Sequence, residues 1–245
     1  MKKIHNVDWT EEKIKDLWEI YETTEQFKED RFLPIDFYKC LYNYTRKFMK
    51  KRAKILDIGC GSGALIDLLY QKGYEVYGCD LSEKNIENLK IKYSNTDIKF
   101  ISCGISKLDF QDNYFDYIFI TEVLEHLLPS TLETGLNEIK RVLKSQGKVI
   151  VTVPYKEKIS YIVCPDCGAV FNPAQHFTSF DETTIKELFS KFGFEIDFCK
   201  LFPKVPVTGN KIKDFFKKLL ALIDKRAISF MYGSIFITVA SKKSE

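Results

Sequence analysis

The stretch that decides the fold is Ile55-Leu56-Asp57-Ile58-Gly59-Cys60-Gly61-Ser62-Gly63, which is followed by an apolar segment over 64–69. An apolar run that ends in glycines and continues into a second apolar segment is typical of a buried strand, a tight turn and the start of a helix. Glycines in such a turn permit positive φ angles and let the backbone approach a ligand. Because amide groups at a helix start bind polar ligand atoms, the stretch predicts a ligand site.

Two aspartates indicate what this turn can bind. Asp57 stands at the end of the first predicted strand, where a carboxylate repels a pyrophosphate but suits a cationic ligand. Asp80 stands at the end of the second predicted strand, where a carboxylate can accept both hydroxyls of a ribose. The glycine spacing also differs from the dinucleotide pattern, whose third glycine falls one residue later than Gly63. Together these features indicate a cofactor that contains adenosine and carries a positive charge.

This segment resembles motif I of the class I S-adenosylmethionine-dependent methyltransferases, and Asp80 matches their ribose-binding acid. The resemblance covers about residues 50–155 closely and implies S-adenosylmethionine as the cofactor. Many members carry an acid after strand three that binds the adenine amino group, but Gly104 stands there in this chain. We therefore expect backbone or apolar contacts through Gly104 and Ile105. The cofactor contacts that the resemblance implies are those of Asp57, Gly59, Cys60, Gly61, Asp80, Leu81, Gly104, Ile105 and Thr121.

The chain alternates between predicted strands and predicted helices. We predict strands over 53–58, 74–79, 98–103, 116–121, 148–154, 194–202 and 229–240, and helices over 63–72, 82–93, 132–144, 181–192 and 211–224. This alternation predicts an α/β fold with a mostly parallel sheet that is covered by helices on both faces. The resemblance implies a Rossmann-like sheet of seven strands that ends in an antiparallel hairpin.

Two amphipathic helices are predicted ahead of the first strand, over 9–22 and 34–50. We interpret residues 1–50 as an N-terminal helical cap that covers either the cofactor or the methyl acceptor. Residues 51–245 then form the domain that the resemblance implies, with an inserted Cys-x-x-Cys loop at about 155–180.

The composition limits the possible partners. Hydrophobic residues make up 45% of the chain and charged residues 29%, which is ordinary for a soluble globular protein. The net charge of +3 gives no electrostatic reason to expect a nucleic acid or an anionic membrane as partner. No run of about 18 apolar residues occurs, so we expect no membrane span. The first residues lack an apolar signal core, and the seven cysteines are an odd number, so we expect reduced thiols and a cytoplasmic location.

A second group of candidate residues follows the fourth predicted strand. Glu122, Glu125 and His126 are spaced so that two or three of them converge on one helical turn, next to where the methyl group should lie. The Glu-x-x-Glu-His pattern is similar to the metal site of small-RNA 2′-O-methyltransferases and of quinone-biosynthesis O-methyltransferases. Some of those enzymes add a later histidine just before a helix, and His176 has that position.

These residues allow two kinds of chemistry. A divalent ion at Glu122, Glu125 and His126 would lower the pKa of a substrate hydroxyl. In the alternative without a metal, His126, Glu122 and His176 are catalytic candidates that orient or deprotonate the acceptor, since an imidazole titrates near neutral pH.

A cysteine motif follows the fifth predicted strand. In Cys164-Pro165-Asp166-Cys167-Gly168, two thiolates have the spacing that binds one zinc ion, and the glycine permits the tight turn. His176 is a candidate third ligand, and a subset of the methyltransferase superfamily is similar in having Cys-Pro-x-Cys-Gly and a later histidine. The alternatives are a redox pair and two unpaired thiols in a loop. His176 cannot easily serve both this metal site and the one around Glu125.

The predicted reaction is transfer of a methyl group from S-adenosylmethionine to an oxygen of a small molecule, by analogy with the Glu-x-x-Glu-His enzymes. Methylation of nitrogen or oxygen in a small RNA or a protein stays open. A non-catalytic cofactor-binding or interaction protein is a further alternative, with the cysteine motif as its contact surface. A nicotinamide-dependent oxidoreductase is disfavoured, because the dinucleotide glycine spacing is missing.

Overall fold

The computed structural model describes residues 3–23, 33, 35–203 and 234–243. The predicted helix over 211–224 and the first part of the last predicted strand therefore lie outside the described residues. Within the described residues, no helix is long and apolar enough to cross a lipid bilayer.

The centre of the molecule is a seven-stranded sheet. Its strands are β2 (Lys54–Ile58), β3 (Glu75–Asp80), β4 (Lys99–Ser102), β5 (Phe115–Thr121), β6 (Leu143–Pro154), β9 (Phe194–Pro203) and β10 (Ser234–Lys242). Their order across the sheet is β4-β3-β2-β5-β6-β10-β9. Strands β4, β3, β2, β5 and β6 pair in parallel, and β10 runs antiparallel to both β6 and β9. The predicted α/β fold with a mostly parallel sheet and a final antiparallel hairpin is confirmed.

Helices cover both faces of this sheet. The described helices are α1 (Glu11–Thr23), α2 (Ile35–Thr45), α3 (Ala64–Gln71), α4 (Glu83–Lys92), α5 (Pro129–Val142) and α6 (Glu182–Lys191). Adjacent strand residues point to opposite faces, so Ile55 packs in the apolar cluster of α2, α3 and α4, and Leu56 packs in the cluster of α5 and α6. Burial on both faces explains why the central strands read as nearly continuous apolar runs.

Two helices begin at a side-chain cap. The Ser82 hydroxyl accepts a hydrogen bond from the Asn85 amide at 3.1 Å and begins α4. The Asp181 carboxylate accepts from the amides of Thr183 and Thr184 at 3.0 and 2.9 Å and begins α6. Each side chain satisfies amides that have no partner inside the helix.

The predicted boundary between α5 and β6 is wrong by several residues. We expected the helix to continue to residue 144, but it ends at Val142 and β6 begins at Leu143. The Val142 carbonyl accepts from the Tyr114 amide at 2.8 Å, and Leu143 is fully buried against Phe115 in β5. Pairing with the neighbouring strand therefore ends the helix earlier, and Gly147 lies inside β6.

A second, three-stranded sheet joins the N-terminal residues to the loop after β6. Its order is β1 (His5–Asn6), β8 (Ala169–Phe171) and β7 (Ile162–Val163). The parallel pairing of β1 with β8 holds the start of the chain against the inserted loop. The division into an N-terminal cap over 1–50 and a domain over 51–245 stays a prediction. Tyr38 and Leu41 of α2 belong to the same apolar cluster as the central sheet.

Gly78 lets α3 lie directly against the sheet. It stands in β3, in register with Asp57 of β2 and Phe100 of β4. A Cβ atom at position 78 would lie 2.4 Å from Ile66 Cδ1 and 3.0 Å from Phe100 Cδ1. Because α3 follows the glycine turn without a break, this close approach also positions the turn.

We expect Gly78→Ala to lower the free energy of unfolding by about 1–3 kcal/mol, because the added methyl group overpacks the α3–sheet contact. Ile66→Val removes the clashing Cδ1 atom and alone costs about 0.5–1.5 kcal/mol. The double variant should then lose less than the sum of the two single losses. Urea unfolding of the wild type, both single variants and the double variant measures this coupling. Strictly additive losses would contradict the close contact.

Candidate active site

One cavity of about 330 Å³ opens at the carboxyl ends of β2, β3 and β5. This edge is the switch point of the sheet, because the strand order reverses direction at β2. The predicted cofactor residues that line the cavity are Gly59, Cys60, Gly61, Asp80, Leu81, Gly104, Ile105 and Thr121. Asp57 is also a predicted contact, and it is buried in β2 rather than part of the cavity lining.

The glycine turn is held tightly against the end of β3. The amides of Gly59 and Cys60 both donate to the Cys79 carbonyl, at 2.8 and 3.0 Å. Gly59 has a φ angle of 70°. A Cβ atom on Gly59 would lie 2.5 Å from Val123 Cγ2, so a larger residue does not fit without a shift. The turn therefore brings bare backbone to the cavity wall, as the sequence predicts.

Asp80 is fixed by the two elements that flank it. One carboxylate oxygen accepts from the Gly61 amide at 3.0 Å and the other accepts from the Ser82 amide at 3.0 Å. The Asn85 side chain donates to the Gly61 carbonyl at 2.8 Å and closes this network. Because a carboxylate can accept about four hydrogen bonds, the orientation of Asp80 is set while capacity for a ligand is kept.

Asp57 places a buried carboxyl group behind the cavity wall. Its side chain is 1% exposed, and its Oδ1 atom has no hydrogen-bond partner in the described part of the chain. Burial raises the pKa of the Asp57 carboxyl well above its usual value, and the nearby Asp80 carboxylate raises that pKa further. A buried acid in this state is stabilised by a positive charge placed beside it.

The N-terminal helices form the outer wall of the cavity. Ile14 and Trp18 of α1 and Tyr38 of α2 line it. Helix α1 is attached at two points, since the Thr131 hydroxyl donates to Glu11 at 2.5 Å and Lys15 pairs with Glu83 at 2.6 Å. The leading helices therefore do cover this cavity.

Sequence reasoning missed Trp18 and Tyr38 as lining residues. The Tyr38 hydroxyl is hydrogen-bonded to Thr121, and burial raises its pKa, as do the carboxylates of Asp57 and Glu122. The sequence pattern does not distinguish the two cases, because aromatic residues have the same helical spacing whether that face of the helix packs on a core or lines a cavity.

The predicted catalytic residues occupy different positions. Glu122 and His126 line the cavity, and His176 lies behind His126 with a ring-centroid distance of 4.6 Å. Glu122 accepts from the Thr152 hydroxyl at 3.0 Å, which turns its carboxylate towards β6. The Trp18 ring packs edge-on against His126 at 5.0 Å.

The hydrogen bonds of His126 determine its tautomer. Nδ1 lies 3.2 Å from the Gln175 carbonyl oxygen, which can only accept, so Nδ1 carries the hydrogen and Nε2 carries a lone pair. Burial lowers the pKa of His126 to about 3, and the neighbouring His176 lowers it as well. The imidazole is therefore neutral at pH 7, with Nε2 available to a proton or a metal ion.

His176 has a matching arrangement. Its Nδ1 atom is hydrogen-bonded to the Glu157 carboxylate, which leaves Nε2 for a second partner. The possible metal-binding atoms of Glu125, His126 and His176 all lie within 4.8 Å of one another. Histidines that bind metals usually donate their other ring N–H to a carbonyl or a carboxylate, and both histidines here do so.

This grouping separates the two metal sites suggested by the sequence. His176 joins Glu125 and His126, whereas Glu122 is not a member of the group. Among the residues with described positions, no group of three potential ligands includes Cys164 or Cys167. The two cysteines lie instead in the turn between β7 and β8, where the Gly168 amide donates to the Cys164 carbonyl at 2.9 Å.

The comparisons with known proteins agree with this geometry. A sequence profile described as a methyltransferase domain matches residues 56–151. Protein MJ0638 of Methanocaldococcus jannaschii is 30% identical over 186 residues, which are 74% of this chain and 77% of that protein. The chain belongs to the methyltransferases. The profile covers the glycine turn, Asp80 and the segment from Glu122 to His126 of this methyltransferase.

Other relatives match only the central part of the methyltransferase. Human mitochondrial ubiquinone biosynthesis O-methyltransferase is 32% identical over 125 residues, which are 49% of this chain and 32% of that enzyme. The mouse eEF1A lysine and N-terminal methyltransferase is 28% identical over 113 residues, which are 45% of this chain and 16% of that enzyme. The chain thus spans less than a third of the length of these two relatives, and their acceptors differ in chemistry.

Solved structures extend the likeness of fold to nearly the whole methyltransferase. One is the 1,6-didemethyltoxoflavin-N1-methyltransferase of Burkholderia thailandensis, with 1,6-didemethyltoxoflavin and S-adenosylhomocysteine bound. Its TM-score is 0.71 at 17% sequence identity, and the matched region covers 99% of this chain and 94% of that enzyme. Protein PH0226 of Pyrococcus horikoshii has a TM-score of 0.63 and 25% identity and covers 92% of this chain and 99% of its own.

The buried charge of Asp57 leads to a prediction about stability and pH. Its folded-state pKa lies above the unfolded value of about 4, so the folded protein binds more protons between those two pKa values. The penalty for burying the charged form is therefore absent below about pH 4 and grows as the pH rises through the folded pKa. We expect Asp57→Asn to increase the free energy of unfolding of the ligand-free methyltransferase at pH 7, and to have little effect at pH 4.

Urea unfolding at the two pH values tests this expectation. Asp97→Asn is the matched control, because it makes the same change of charge at an exposed position outside the cavity. A gain for Asp57→Asn that is equal at pH 4 and pH 7, or no gain at pH 7, would show that the buried charge carries no penalty.

Proposed function

We propose that this methyltransferase transfers the methyl group of S-adenosylmethionine to a hydroxyl oxygen of a small molecule. The observation that carries this proposal is the cavity covered by α1, in which a neutral His126 shares the wall with the glycine turn. Since α1 covers the cavity, a compact acceptor suits it better than a large folded one. The similarity to ubiquinone biosynthesis O-methyltransferase supports oxygen as the acceptor atom.

The residues around the glycine turn fit the cofactor. S-adenosylmethionine supplies an electrophilic methyl group on a sulfonium cation. Buried Asp57 and fixed Asp80 favour a cationic nucleoside, and Asp80 is the residue proposed to accept the ribose hydroxyls. Gly104 and Ile105 are proposed to line the adenine end of the cavity.

His126 is proposed to orient the acceptor, because an imidazole whose pKa is lowered to about 3 accepts a hydrogen bond at pH 7 but is a weak base. The Gln175 carbonyl holds Nδ1, so Nε2 is the nitrogen that can accept a hydrogen bond from a hydroxyl. The Trp18 ring and α1 cover this side and help to exclude water. Glu122 and His176 stay as further candidates for this role.

A divalent metal ion fits the group formed by Glu125, His126 and His176. A bound cation would lower the pKa of an acceptor hydroxyl. In this alternative the two Nε2 atoms and the Glu125 carboxylate are the proposed ligands, and His126 Nε2 then binds the metal ion instead of the acceptor hydroxyl. The Gln175 carbonyl and Glu157 hold the two rings in the required tautomer.

Zinc at Cys164 and Cys167 is a separate proposal. The Cys164 sulfur accepts hydrogen bonds from the amides of Cys167 and Asp166, which lower its pKa and favour the thiolate that binds metals. A structural zinc site needs about four ligands, so two more would have to come from elsewhere.

Two alternative acceptors follow from the same cavity. The similarity to the eEF1A lysine and N-terminal methyltransferase supports an amine of a protein, and a small RNA is the other alternative. The net charge of +3 makes a large nucleic acid a weaker candidate.

All seven cysteines are free thiols, which supports a reducing compartment such as the cytoplasm.

Calorimetry with S-adenosylhomocysteine tests the cofactor site. We expect the wild type to bind it, and Asp80→Asn to weaken binding by about 10-fold or more, because hydrogen bonds to charged groups contribute about 1.5–3 kcal/mol. Asp97→Asn should bind as the wild type does. If the wild type binds neither S-adenosylmethionine nor S-adenosylhomocysteine, the enzyme proposal fails. Binding of the reduced nicotinamide cofactor in their place would favour an oxidoreductase.

Metal titration after chelator treatment tests the Glu125–His126–His176 site. We expect Mn²⁺ or Zn²⁺ to bind the wild type, and Glu157→Gln to weaken binding by about 10–100-fold, because Glu157 orients His176. Glu187→Gln, at an exposed position on α6, is the matched control. Loss of the metal in Cys164→Ala, with full binding in Glu157→Gln, would instead place it at the cysteine pair. No binding at all would leave His126 and His176 to act without a metal.

A further inference from the structure

Helix α1 lies over the cavity and joins two of its walls. Glu11 accepts a hydrogen bond at 2.5 Å from the hydroxyl of Thr131, in the first turn of α5. One turn further along α1, Lys15 pairs at 2.6 Å with Glu83, the first residue of α4. Helix α4 follows β3 and α5 follows β5, and these two strands flank β2 on either side. The two contacts therefore connect α1 to both sides of the glycine turn.

The inner face of α1 packs on the cavity and not on the core. Ile14 and Trp18 line the cavity. No residue of α1 belongs to either of the two apolar clusters that the central sheet forms with the other described helices. Packing in such clusters supplies most of the free energy that holds a helix in place. Helix α1 therefore depends on a small number of local contacts.

The polar contacts of α1 are accessible to water. The side chains of Lys15 and Glu83 are 37% and 65% exposed, and an ion pair at such a position contributes little to stability. The ring of Trp18 adds an edge-on contact with His126, at a centroid distance of 5.0 Å. An element held in this way opens locally at a small fraction of the free energy of global unfolding.

The residues before α1 are attached to a different part of the molecule. The amides of His5 and Val7 each donate at 3.2 Å to a carbonyl in or next to β8, and β1 pairs with β8 in parallel. The ring of Trp9 contacts the ring of Phe177 at 6.0 Å. These contacts tie the start of the chain to the loop after β6, so they do not have to break when α1 leaves the cavity.

We propose that α1 is a movable cover, which opens to let the cofactor and its product exchange and closes over the bound ligand. Opening breaks the two polar contacts with α4 and α5 and withdraws Ile14 and Trp18 from the cavity wall. The pivot lies just before Glu11, next to the residues that β8 holds. A ligand that touches the inner face of α1 favours the closed position, because it binds that position more tightly than the open one. This inference rests on the cofactor placement proposed above.

Stopped-flow fluorescence tests whether α1 controls exchange. The chain has two tryptophans, so Trp9→Phe leaves Trp18 as the single reporter on α1. We expect the observed rate of S-adenosylhomocysteine binding to level off at high ligand concentration, because the cover has to open first. Glu83→Gln in this background should raise the limiting rate and the dissociation rate by about 2–5-fold, which is the range for an exposed ion pair.

The affinity for S-adenosylhomocysteine should change less than these rates. Neither Lys15 nor Glu83 lines the cavity, and the closed cover makes their contact with and without ligand. Lys15→Gln should have the same effect as Glu83→Gln, and the double variant should add little, because either change alone removes the pair. Added salt should speed dissociation from the parent more than from the double variant. Glu87→Gln, at an exposed position of α4, is the matched control and should leave both rates unchanged.

Hydrogen exchange measures the cover without a ligand. The amides of α1 should exchange faster in Glu83→Gln than in the wild type, and those of β2 should not change. A binding rate that rises linearly with ligand concentration, or equal dissociation rates in the parent and Glu83→Gln, would overturn the proposal. If the wild type binds no S-adenosylhomocysteine, the proposed function fails. The exchange rates then decide the question alone, and equal rates for α1 in the two proteins would show that the helix is fixed.

Discussion

The close backbone contact between the glycine turn and the end of β3 is the constraint on which the rest of the site depends. The amides of Gly59 and Cys60 share the Cys79 carbonyl, and Asp80 directly follows that residue. Any side chain at position 59 would collide with Val123. Because the glycine turn, Asp80 and the loop after β5 all meet here, the position of each one is set by the other two.

The charges of the site are arranged around this contact. Asp57 is buried at the end of β2, Asp80 is fixed beside the turn and Glu122 lines the same cavity, so this region is rich in carboxyl groups. At the other side, His126 is kept neutral by burial and by His176. The same cavity thus combines a region suited to a cation with a neutral hydrogen-bond acceptor, and this combination suits the methyl transfer proposed above.

Much of the fold and of the cofactor site could be predicted from the sequence, because local signals carry them. Apolar runs, glycines and caps such as Ser82 act within a few residues of where they stand. The end of α5 could not be predicted in this way, since it depends on pairing of Leu143 with Phe115 in another strand. Trp18 and Tyr38 were missed for a related reason: their surroundings come from distant parts of the chain.

The sequence by itself determined the fold class and the kind of cofactor, because the residues that decide them are neighbours in the chain. Only the tertiary structure decided how the histidines are grouped. His176 stands with Glu125 and His126 and not with the cysteine pair, and its partner Glu157 comes from the loop after β6. Such groupings depend on how separate segments pack, and spacing along one chain does not encode them.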